Sequence, residues 1–103
     1  NLQVFPAVVP ALNIIQVAGQ SIPDGGSPVV QVNLSRSAPT TQTVRLRAKD
    51  FTGFVPVTVS VTPEQGPGAR FVGEIDMSKN PPEVAIPIQL TPGAVNRVQA
   101  WTQ

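Results

Sequence analysis

The stretch Val55-Pro56-Val57-Thr58-Val59-Ser60-Val61-Thr62-Pro63 constrains this chain more than any other. Valine recurs at every second position, and Pro, Thr, Ser and Thr stand between. A period of two puts the four valines on one face of a β-strand and the polar residues on the other. A helix would scatter the same valines around its circumference. The stretch therefore demands β-structure with one buried face.

The same alternation recurs along the chain, and it predicts seven strands. These run at about Leu12–Ala18, Val29–Ser35, Thr43–Lys49, Val55–Pro63, Ala69–Met77, Glu83–Leu90 and Val95–Thr102. Proline and glycine break the chain between them, at Pro23-Asp24-Gly25-Gly26, Pro39, Gly53, Gly66-Pro67-Gly68, Pro81-Pro82 and Pro92-Gly93. Val44, Leu46 and Ala48 are expected to face inward, opposite a wholly basic row of Arg45, Arg47 and Lys49. Val84, Ile86, Ile88 and Leu90 form a second inward row. Asn96, Val98, Ala100 and Thr102 share one face of the last strand, which leaves Trp101 on the other. Gly73, in mid-strand, marks either a bulge or a close backbone approach. Pro56 and Pro87 each remove a ladder hydrogen bond, so the fourth and sixth strands are expected at or near sheet edges.

Composition supports this reading. The chain holds 16 Val, 6 Ile and 8 Thr against five Leu, and its 12 Pro leave no proline-free window with helical periodicity. Seven short strands in 103 residues predict an all-β fold, a two-sheet antiparallel β-sandwich. Residues 12–103 form its single domain. Asn1–Ala11, apolar and interrupted by Pro6 and Pro10, reads as an extended arm or linker.

The strands VVQVNLS and VPVTVSVTP and the ending IQLTPGAVNRVQAWT resemble those of bacterial immunoglobulin-like or fibronectin type III-like domains. Thr91-Pro92-Gly93 is similar to the short corner that joins the penultimate strands there. The resemblance implies an immunoglobulin-like sandwich, without the family's cysteine pair or tyrosine corner. It implies no site residue, because such domains share architecture rather than a site.

Function is expected to lie in binding rather than catalysis. With no Cys and no His, the chain lacks thiolate nucleophiles, zinc-thiolate sites and the commonest general base. No catalytic residue, metal ligand or cofactor site is therefore assigned. Glu74 and Asp76 share a strand face and, with a turn acid such as Asp50 or Asp24, offer oxygen ligands for calcium. A solvated strand face is the favoured reading. A net charge of +1 provides no field for nucleic acid, and no apolar run is long enough for a membrane helix.

The candidate interaction surface comprises Arg45, Arg47, Lys49, Phe51, Phe54 and Trp101. The basic row offers itself to an anionic partner, or pairs with Glu74 and Asp76 across a sheet. Phe51 and Phe54 flank a loop tip, as a contact patch or as a plug over the sandwich end.

The chain is thus expected to be a non-catalytic spacer or docking module of a larger exported or cell-surface bacterial protein. Its partners would be neighbouring domains or another protein. Low charge and a first residue other than Met motivate the extracytoplasmic assignment. The alternatives are a glycan- or protein-binding accessory module and an assembly subunit exchanging its N-terminal arm. The isolated domain is expected to be monomeric.

Overall fold

The computed structural model describes residues 11–17, 19–22 and 29–102. Seven strands and no helix make up these residues: β1 (Ala11–Gln16), β2 (Val30–Asn33), β3 (Thr41–Lys49), β4 (Phe54–Pro63), β5 (Ala69–Asp76), β6 (Glu83–Gln89) and β7 (Val95–Thr102). They form two antiparallel sheets, ordered β1-β3-β6 and β2-β7-β4-β5. The sheets pack face to face over one apolar core. Residues 1–10 of the predicted arm Asn1–Ala11 and the turn at residues 23–26 lie outside the described residues, while Ala11 opens β1.

The alternating valines behave as their period requires. Val55, Val57, Val59 and Val61 of β4 are all buried. Facing them from the other sheet are Val44, Leu46 and Ala48 of β3 and Ile86 and Ile88 of β6. Ile14, Val32, Ile75 and Val98 complete the centre. Each buried side chain of this size contributes about 1.5–3 kcal/mol against its exposed state, most of it offset by chain entropy.

The position of β4 corrects the expectation from Pro56. The strand is central, between β7 and β5, and not at an edge. Proline is tolerated there because of where it falls. Among the described residues, pairing with β7 runs from Val57, opposite Thr102, so Pro56 lies past the described end of that ladder and is paired with Glu74 of β5. Pro63 sits at the other end of that ladder, opposite Asn96. The corresponding expectation for β6 holds among the described residues: it is the outermost strand of its sheet, with Pro87 exposed on it.

Gly73 marks a close approach. It keeps regular register with Val57 and forms no bulge. A Cβ built on it would stand 2.8 Å from Cδ1 and 2.9 Å from Cγ1 of Ile86. The missing side chain lets β5 close against β6 of the opposite sheet.

The β6–β7 corner carries the chain from one sheet to the other. Gly93 turns it at φ 71°, and its N–H donates to the Leu34 carbonyl at 2.8 Å. Asn96, fully buried, ties the corner from inside. Its Oδ1 accepts from the Thr91 N–H at 2.9 Å. Its Nδ2 donates to the carbonyls of Thr91 and Ala94, both at 3.1 Å, and to that of Val32 at 3.5 Å. One amide side chain thus satisfies the loop backbone and ties it to β2.

Candidate functional site

The two outer faces of the sandwich differ in chemistry. On the three-stranded sheet, Arg45, Arg47 and Lys49 are exposed along β3, as their spacing requires. Arg47 does not meet Glu74 or Asp76. Those acids lie on β5, in the other sheet, whose outer face points the opposite way. Instead Glu83, directly opposite on β6, accepts from Arg47 Nε at 3.0 Å. An exposed pair of this kind is worth about 0.2–1 kcal/mol. It neutralises the middle of the basic row.

The four-stranded sheet carries the aromatic and apolar surface. Phe54, Pro56, Thr58, Ser60 and Thr62 of β4 alternate with the buried valines and so face outward. Register sets Arg70 beside Ser60 and Val72 beside Thr58 on β5. On β7 it sets Trp101 beside Thr58 and Gln99 beside Ser60. Val29, Phe54 and Val72 are 53%, 63% and 72% exposed, and all three belong to this face or its rim.

Trp101 organises the middle of the face. It is half-buried, and its neighbour Thr58 is buried although it points outward. Trp101 stands opposite that threonine on β7. The Arg70 guanidinium reaches across from β5 to lie over the indole, 5.7 Å from the ring centre. Two shallow depressions adjoin the stack. One, of about 340 Å³, is lined by Arg70, Trp101, Ser60, Thr62 and Gln99, with Gly68 and Ala69 at its edge. The other, of about 220 Å³, shares Ser60, Thr62 and Gln99 and is closed by Val29 and Arg97. The chain matches no protein-family model, no curated protein and no solved structure. The chemistry of the face therefore carries the functional reading.

Phe51 and Phe54 separate. Phe51 packs against the core from the end of the sandwich, whereas Phe54 is exposed. Both line a depression of about 430 Å³ with Thr52, Gly53, Asp76, Met77 and Ser78. The loop tip is pinned by the Met77 N–H, which donates to the Gly53 carbonyl at 2.9 Å.

Asp76 is engaged within its own turn. Its Oδ1 accepts from the Ser78 hydroxyl at 2.7 Å and from the Ser78 N–H at 3.0 Å. The hydroxyl first, then the N–H, hold the carboxyl below the usual carboxylate range. A depressed carboxyl stabilises the fold at neutral pH, and that contribution disappears as pH falls through the folded-state value, below about 4. Ser78→Ala is expected to raise the Asp76 titration midpoint, followed by carboxyl NMR; an unchanged midpoint would refute the assignment. Among the described residues, no three acidic side chains converge to hold a metal ion. Asp24 lies outside the described residues.

Arg70, Arg97 and Gln99 were not singled out by the sequence reading. Nothing local to Arg70 announces Trp101, 31 positions away, because their proximity depends on both strands flanking β4.

Proposed function

We propose that this chain is a non-catalytic interaction module that docks a protein partner through the outer face of its four-stranded sheet. The observation that carries the reading is that the exposed Val29, Phe54 and Val72 lie on this face or its rim, which also carries Trp101. Exposed apolar side chains grouped on one face, with polar residues between, mark a contact surface. The partner is a neighbouring domain of a larger exported or cell-surface protein. The sparse charge of the chain favours that setting.

Strand pairing supports an immunoglobulin-like reading. In that family strands A, B and E share one sheet, and C and F lie in the other. Here β1, β3 and β6 share a sheet, and β4 pairs with β7. The arrangement departs from the family at β2, which occupies the place beside β7 that the last strand holds there.

Titration of the isotope-labelled chain with the domains adjoining it in its parent protein tests the docking reading. NMR shifts are expected at Val29, Phe54 and Trp101, and the exposed changes Val29→Ser and Phe54→Ser should each weaken binding about tenfold, a loss of about 1.4 kcal/mol. Shifts confined to Arg45 and Lys49, or none, would exclude this face. A glycan is the second reading, favoured by the Arg70–Trp101 stack beside Ser60, Thr62 and Gln99. A glycan array read with Trp101 fluorescence separates it from the first.

A further inference from the structure

We infer that the outer edge of β5, to which no described residue pairs, binds a second copy of this chain, antiparallel, about a two-fold axis through Val72. An edge strand presents unpaired N–H and C=O groups that template another strand. Among the described residues the sheets end in four such strands: β1, β6, β2 and β5. Three of them are poor templates. β2 has 4 residues. β1 has 6, with a register shift between Ile14 and Gln16. β6 carries Pro87, which has no N–H to donate. β5 has 8 residues, no proline and regular pairing to β4 along its length. No described residue pairs with its other edge. At its centre stands Val72, the most exposed large apolar side chain among the described residues.

The sequence of β5 is complementary to itself in this register. With the axis at Val72, Arg70 faces Glu74 of the partner subunit, and Glu74 faces the partner's Arg70. These four side chains and the two valines all lie on the outer face of the sheet. The valines meet at the axis. On the inner face, Phe71 stands in register with Gly73 of the partner subunit, so no pair of bulky side chains meets there. An axis on Arg70 or on Glu74 would instead set like charges face to face. In the single chain the Arg70 guanidinium rests over Trp101. An exposed cation–π contact and an exposed ion pair are of similar strength, so Arg70 turns to the partner without a large penalty. Pairing joins two four-stranded sheets into one of eight strands, an isologous two-fold interface.

Sedimentation equilibrium of the whole chain, from micromolar to near-millimolar concentration, tests the inference. The expected result is a reversible shift to twice the monomer mass. Val72→Lys, which sets two ammonium groups on the axis, should raise the dissociation constant at least about tenfold. Arg70→Glu and Glu74→Arg should each weaken the dimer, and together they should restore it. All three positions are exposed, and circular dichroism checks that the variants fold. A monomer at every concentration, a dimer indifferent to Val72→Lys, or a charge exchange that fails to restore it would overturn the proposal.

Discussion

Replacing Asn96 by Asp is expected to remove about 3–5 kcal/mol of stability at neutral pH, the cost of leaving a charge buried and unpaired. The amide is fully buried, and its nitrogen faces the carbonyls of Thr91, Ala94 and Val32. A carboxylate there turns a donor into an acceptor and aims negative charge at three carbonyl oxygens. The introduced carboxyl should titrate above the unfolded value. The folded variant then binds the proton more tightly, so the deficit should shrink as pH falls toward about 4. Asn96→Leu keeps the volume and removes the bonds, and about 1–3 kcal/mol should be lost. Urea denaturation at two pH values measures both. A loss below about 1 kcal/mol for Asn96→Asp at neutral pH would mean that the corner holds without this side chain.

Leu46→Ala is expected to cost about 2–5 kcal/mol, a large share of the stability of a domain this size. Leu46 has no exposed surface, and β3 holds it between Ile14 of β1 and Val84 of β6 in register. Truncation leaves a cavity between two sheets that cannot collapse without shifting the strands. The adjacent Arg45→Ala should change stability by no more than about 0.5 kcal/mol, because that side chain lies in solvent. Thermal and urea unfolding of the two variants compares neighbouring residues that differ in the face they occupy. Equal losses would contradict the division of β3 into a buried and a solvated face.

That division was legible from the residues themselves. Val44, Leu46 and Ala48 are buried while Arg45, Arg47 and Lys49 are exposed, as a period of two requires. Asn96 was placed on one face with Val98 and Ala100, and that face is the buried one. Its bonds to the corner were not legible, because they depend on how the chain turns at Gly93. Strand ends were less readable than strand centres. Thr41 and Gln42 join β3 only because Gln89 and Ile88 of β6 stand opposite them. The aromatic loop read as a unit divides, since Phe51 meets the core and Phe54 points to solvent.

Period, proline and glycine act within a few residues, so they sufficed to set seven strands, their inward faces and their breaks. Neighbours were another matter. Every strand offers the same backbone donors and acceptors, and local pattern does not name the strand that takes them. Packing of the whole core chooses. It placed the valine strand β4 in the centre of its sheet despite Pro56, set Arg70 over Trp101, and put β5 outermost among the described strands of that sheet.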